Sequence, residues 1–222
     1  MRRGDVRGVS FVELVVSMAI ALAVTGSMFG VIHAIRGVLE IDLEQADMQQ
    51  RARMSADALF KDLVMAGAGA DAPGVAPYRR GMSSPDPAGS AFADRISVVY
   101  VPPDAAVGER VMLTYALRAD ATGVVQLTRY DGASTELPLV DHVSDLRFEY
   151  FDAAGQLIAL DRFADGPWIP NAVAPDRYDV DLQAVRRVRA FLRVHPARTI
   201  LDIPLANLDI FVDVAPRNVT LP

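Results

Sequence analysis

The sequence predicts an α+β protein: one long N-terminal helical spine, half apolar and half amphipathic, packed on an antiparallel β-sheet head. Three observations predict it. From Val9 to Ile35 only Glu13 carries a full charge, and no proline occurs before Pro73. From Ala52 to Ala66 apolar residues recur at helical spacing. Beyond residue 94 the apolar period falls to two, in short runs separated by Asp- and Gly-containing turns.

The first element begins with a basic leader, Arg2, Arg3 and Arg7 against Asp5. At 1.5 Å per residue, about 20 residues cross a hydrocarbon core of about 30 Å, and the run that follows is longer than that. After Arg36 the chain turns acidic, with Glu40, Asp42, Glu44 and Asp47. Basic entry and acidic exit predict a single crossing with the N-terminus in the cytoplasm and the head outside. A secretory signal peptide has a shorter apolar region of about 7–15 residues, so this segment is expected to be retained. Glu13 is the anomaly, because a charge inside a membrane helix costs about 2.5 kcal/mol or more unless it is paired. Gly26 and Gly30 form a small-xxx-small pair that permits close helix approach in lipid, although glycine is also ordinary in membrane helices.

The spine continues as an amphipathic helix. Ala52, Ala56, Leu59, Phe60, Leu63 and Ala66 are expected to face the head. Arg53, Asp57 and Lys61, spaced four apart, are expected on another face as favourable pairs. Gly67-Ala68-Gly69 ends the helix. The chain therefore divides into a leader (1–8), a transmembrane helix (9–35), an amphipathic half-spine (36–66), an irregular connection (67–93) and a β-rich head (94–222). Pro73, Pro77, Pro85 and Pro87 make the connection irregular, and Tyr78, Arg79 and Arg80 could anchor it.

In the head, Ile96, Val98 and Tyr100 alternate, as do Val111, Leu113 and Tyr115. Asp120 to Gly123 reads as a turn between Val111–Arg118 and Val124–Arg129, and Asp131-Gly132 as another. Leu146–Phe151 reads as a strand that turns at Asp152–Gly155 into Leu157–Leu160. Val188, Ala190, Leu192 and Val194 alternate with Arg187, Arg189 and Arg193; Leu208, Ile210, Val212 and Val214 alternate with Asp209 and Asp213. Such strands pack one face on the helix and leave the other to solvent.

The chemistry of the chain is sparse. It has 222 residues, no cysteine and a formal net charge of -6. Disulfides, thiolate metal sites and cysteine nucleophiles are excluded. The acidic balance argues against general nucleic-acid binding, which needs basic surface to displace counterions. His33, His142 and His195 have no zinc-site spacing, and neither a phosphate loop nor a nucleophile elbow occurs. Neither an enzyme nor a cofactor is expected. Asp176, Asp179 and Asp181, near Asn171, are a weak calcium candidate against the commoner reading of solvated loop aspartates. Arg186, Arg187, Arg189 and Arg193 could bind an anionic partner, but read better as a solvated face paired with Asp209 and Asp213. Trp168 reads as a loop anchor.

The order Gly8, Ser10, Phe11, Val12, Glu13, Leu14 after a short basic leader resembles a type IV prepilin processing signal. In that family a membrane peptidase cuts directly after the glycine and methylates the new amine. Glutamate stands fifth after the cut, and Glu13 stands fifth after Gly8. Val9 occupies the position where the family usually has Phe or Met. In the head, Leu146-Arg147-Phe148-Glu149-Tyr150-Phe151-Asp152, Val185 to Ala190 and Pro216-Arg217-Asn218-Val219 resemble PilW-type minor pilins, and J-type pseudopilins of type II secretion are close relatives.

The resemblance implies a structural or priming subunit of a type IV pilus-like filament. Its cleavage site is Gly8–Val9, and Glu13 pairs with the Val9 amine of a neighbouring subunit. The implied partners are prepilin peptidase, other pilin or pseudopilin subunits and the bacterial inner membrane, with no nucleic acid. The alternatives are a minor pseudopilin of a type II secretion system, or a signal-anchored extracytoplasmic binding module that keeps its leader.

Overall fold

The computed structural model describes residues 10–70, 73–77, 94–104, 106, 109–131, 136–163, 180–198 and 205–216. One helix, α1, runs unbroken from Phe11 to Met65, and its 55 residues extend about 82 Å at 1.5 Å per residue. It ends where its sequence allows. Ala66 leaves helical dihedrals, Gly67 adopts φ 78°, and the Gly67 N–H turns away to the Val99 carbonyl at 2.7 Å. Glycine suits this position because a Cβ is penalised in the left-handed region.

The two halves of α1 differ. Residues 10–36 are exposed throughout. Gly37, Glu44, Met48, Arg51, Ala52, Ser55, Leu59, Asp62 and Leu63 then form one buried stripe at helical spacing. This stripe starts well before Ala52 and includes three ionisable residues. Phe60, expected in it, is 54% exposed, since it sits about 100° around the helix from the fully buried Leu59. Arg53, Asp57 and Lys61 do share the outward side, but no ion pair joins them.

Five strands form an antiparallel sheet in chain order: β1 (Val75–Ala76), β2 (Arg95–Tyr100), β3 (Val111–Ala119), β4 (Val125–Tyr130) and β5 (Leu137–Asp141). Three more, β6 (Val143–Phe151), β7 (Arg187–Val194) and β8 (Leu208–Val214), form a second antiparallel sheet. The helix packs along β8 and also meets β7, β5 and β2, while β6 lies against β2, β3 and β4. One core results, with Leu59 and Leu63 of the helix among Ile96, Val98, Tyr115, Phe148, Val188 and Val212.

The Asp120–Gly123 turn forms as expected. The Asp120 carboxylate accepts from the Thr122 hydroxyl at 2.7 Å and from the Thr122 and Val124 N–H groups, and these bonds hold its pKa below the usual carboxylate range. The alternation expected in β7 is observed, with Val188, Ala190, Leu192 and Val194 buried. In β2 and β3 it fails: Ile96, Ser97, Val98 and Val99 are all buried, as are Leu113, Thr114 and Tyr115, and the Ser97 and Thr114 hydroxyls share a hydrogen bond at 2.8 Å. The segment after Gly155 also differs. Only Leu157 bridges back to Phe151, and Leu160–Phe163 winds into a 3-10 turn that sends Phe163 against Tyr150. Within the connection expected to be irregular, β1 pairs with β2. The Asp131-Gly132 turn, Tyr78-Arg79-Arg80 and Trp168 fall wholly or partly outside the described residues.

A single residue, His142, carries the chain from β5 into β6. It adopts φ 56°, its carbonyl accepts the His195 N–H at 2.9 Å, and its ring meets the His195 ring edge-on at 5.1 Å. Histidine is among the few non-glycine residues enriched at such dihedrals.

Candidate functional site: a bare apolar helix half bearing one carboxylate

The N-terminal half of α1 is long and apolar enough to cross a membrane, and none of its most apolar stretch is covered by the rest of the chain. Phe11, Leu22 and Phe29 are each about 70–80% exposed. Such an apolar cylinder needs lipid or other helices around it. Glu13 lies in its first turn, where a carboxylate complements the positive end of the helix dipole. It shares a shallow apolar face with Ser10, Val12, Val16, Ser17, Ile20 and Ala21. The Ser17 hydroxyl bonds back to the Glu13 main-chain carbonyl. Among the described residues no side chain pairs with that carboxylate.

A Cβ added at Gly26 or Gly30 would meet nothing within 4 Å. The pair is therefore an open notch on the helix, about 20 Å along the axis from Glu13 at 1.5 Å per residue. Gly8 and Val9 lie outside the described residues, as do Asp176 and Asp179. Asp181 is engaged by Arg162 at 2.6 Å, so a cation already sits on the one described member of the calcium candidate.

Two buried charged clusters, neither apparent from apolar periodicity, fix the head to the spine. In the first, Arg51 Nη2 reaches Glu44 Oε1 at 3.2 Å, Nε lies 3.0 Å from Asp47 Oδ2, and Nη1 donates to the His195 carbonyl at 3.3 Å. Glu44 Oε1 also accepts the Ala197 N–H at 2.6 Å. One guanidinium thus ties the helix to the chain leaving β7.

In the second cluster, Asp62 Oδ2 accepts from the Tyr115 hydroxyl and from Arg129 Nε at 3.0 Å. Burial pushes the Tyr115 pKa up, and the Asp62 charge and hydrogen bond push it further. Burial alone would lower Arg129, but the Asp62 charge and hydrogen bond outweigh it and raise the pKa.

The solvent face of the second sheet is ordered by charge. Arg193 donates to both Asp209 oxygens, at 2.7 and 2.8 Å, and Arg189 reaches Asp213 at 3.3 Å. The Arg193 hydrogen bond lowers the Asp209 pKa, and Asp209 in turn raises that of Arg193. The arginine–aspartate pairing anticipated between these alternating runs is therefore present. Arg186 instead donates to the Gln183 carbonyl at 2.5 Å.

Fold and site together define a class: a single helical spine, bare and apolar at one end, that carries a two-sheet antiparallel head at the other. No protein-family model and no curated protein matches the chain.

Proposed function

We propose that the chain is a minor pilin or pseudopilin, a structural or priming subunit of a type IV pilus-like filament, made as a prepilin and processed after Gly8. The observation that carries this reading is the Gly8-to-Glu13 spacing at the mouth of a 55-residue helix whose first half is bare and whose second half is tied to a β head. A plain anchor explains the bare apolar half but needs no carboxylate in its first turn.

On this reading the mechanism is assembly. Cutting after Gly8 frees an ammonium group on Val9 and changes the formal charge from -6 to -8, because Arg2, Arg3 and Arg7 leave with Asp5. Glu13 of one subunit then pairs with the Val9 amine of its neighbour, which offsets the cost of burying both charges. The Gly26/Gly30 notch admits a neighbouring spine. The protein waits in the bacterial inner membrane with its head outside, then enters the filament. A minor pseudopilin of type II secretion would use the same geometry.

Intact-mass and N-terminal peptide mass spectrometry of protein from cells with a prepilin peptidase tests the reading. A chain that starts at N-methylated Val9 is expected. A chain that retains residues 1–8 under those conditions overturns filament processing and leaves the signal-anchored binding module.

A further inference from the structure

The outer face of the second sheet is a grid. Strand register places Asp145, Arg193 and Asp209 in one row, Arg147, Phe191 and Phe211 in the next, and Glu149, Arg189 and Asp213 in the third. Two acid–arginine–acid rows therefore bracket one aromatic row. Between them runs a groove of about 430 Å³ floored by Phe191 and Phe211, whose rings stand 5.1 Å apart. The guanidinium groups of Arg147 and Arg193 lie over Phe191, so its ring is covered. Phe211 is 67% exposed on the outermost strand.

That strand lies at the edge of its sheet. β8 is terminal in its sheet, and among the described residues its backbone hydrogen bonds within the sheet go to β7 alone. Its pairing runs from Leu208 to Val214 without a register shift, unlike β4–β5 and β5's successor pair β6–β7. Edge strands are usually blunted by a bulge, a proline, charged side chains, shortness or a covering helix or loop. Leu208-Asp209-Ile210-Phe211-Val212-Asp213-Val214 has no bulge and no proline, its only charges are the exposed Asp209 and Asp213, and it is rich in strand-forming residues.

We propose that the β8 edge is a docking site for one extended strand of a different protein, with the side-chain pattern basic–x–apolar–x–basic. The charge order along the rows carries the choice of occupant. Each outer row ends in an aspartate, so the next strand best presents a cation opposite Asp209 and another opposite Asp213. The middle row ends in Phe211, so the residue between the cations is apolar. Cross-strand pairs of this kind stabilise a sheet, and like charges directly opposite destabilise it. A second copy of β8 is disfavoured for that reason, since antiparallel pairing about Phe211 sets Asp209 of one copy against Asp213 of the other. Backbone pairing provides the affinity and the alternate side chains the selectivity. The inference stands on the head alone and is independent of leader removal.

The test uses the full chain in detergent micelles and two fluorescein-labelled peptides, Thr-Arg-Thr-Val-Thr-Arg-Thr and Thr-Glu-Thr-Val-Thr-Glu-Thr, titrated by fluorescence anisotropy. The basic peptide is expected to bind at least tenfold more tightly and to slow hydrogen exchange of the β8 amides. Phe211→Ser is expected to weaken that binding at least tenfold with an unchanged circular dichroism spectrum. The double variant D209N/D213N is expected to erase the preference between the peptides. Equal affinity for both peptides, absence of binding, or binding that leaves β8 exchange unaltered overturns the proposal. Self-association of the chain through β8 does so as well.

Discussion

Tyr115 and Asp62 meet across the boundary between sheet and spine, hydroxyl to carboxylate at 2.5 Å, with Arg129 closing the group from the next strand. Asp62 is the hub, because it accepts from both Tyr115 and Arg129, whereas the Tyr115 hydroxyl also has the Ala58 carbonyl at 3.3 Å. Asp62→Ala is expected to destabilise the head by about 2 kcal/mol, reduced from the value for a fully buried pair because the Arg129 side chain is a third exposed. Tyr115→Phe is expected to cost about 1 kcal/mol. Urea unfolding of the micelle-held protein measures both, and equal losses would remove Asp62 from the centre of the cluster.

The same contact makes stability fall in alkali. Burial, then the Asp62 charge, raises the Tyr115 pKa above its ordinary 10.0. Tyr100 shifts the same way for the same two reasons. Above pH 10 the unfolded chain releases protons that the native chain keeps, so stability is full below that pH and declines as pH rises past it. Urea midpoints between about pH 8 and 11 should drop in the wild type and drop less in Tyr115→Phe. A variant curve as steep as the wild type would assign the decline to other groups.

Arg51 cannot be replaced by lysine without loss. Its fork spans Glu44, Asp47 and the His195 carbonyl, three directions that a single ammonium cannot serve together. Arg51→Lys is expected to cost about 1–2 kcal/mol. It should also speed hydrogen exchange at Ala197, whose N–H depends on Glu44 remaining in place. Faster exchange confined to the helix would show that the tie does not reach the chain beyond β7.

Gly74 lies hard against the main chain at the end of α1. A Cβ there would lie 2.4 Å from the Gly67 nitrogen and 2.6 Å from the Ala66 carbonyl carbon, both main-chain atoms that cannot yield. Gly74→Ala is expected to destabilise by about 2 kcal/mol or more through displacement of β1 from the end of α1. Thermal unfolding measures it, and a neutral result would mean that β1 is free to shift.

The spine, its end at Gly67 and the alternation of β7 are legible because each follows from local periodicity or turn chemistry. The stripe that docks the spine was not, because Glu44, Arg51 and Asp62 interrupt the apolar pattern and become tolerable only with partners distant in sequence. Phe60 misled for the converse reason: it is apolar and helical but points outward. β5 is not legible in the sequence, since Pro138 argues against a strand, yet β5 is the last strand of its sheet, where a missing N–H costs little. Of the candidate site, Glu13 was visible as a lone charge in an apolar run. The grid around Phe211 was visible only as alternation, since row order depends on register.

The proposed assembly role separates into two substitutions. Gly8→Ala is expected to leave the leader attached, so only the precursor mass is found in cells that process other prepilins. Glu13→Ala is expected to be processed normally and to keep a wild-type head, since Glu13 touches nothing in it. Its incorporation into filaments should nevertheless fall about tenfold or more, the scale on which an unpaired ammonium in an apolar helix bundle is penalised. Glu13→Asp keeps the charge one methylene shorter and should recover part of the loss. Quantitative immunoblots of sheared filaments against total membranes report the ratio. Wild-type incorporation of Glu13→Ala would eliminate the pairing role while leaving processing at Gly8 intact.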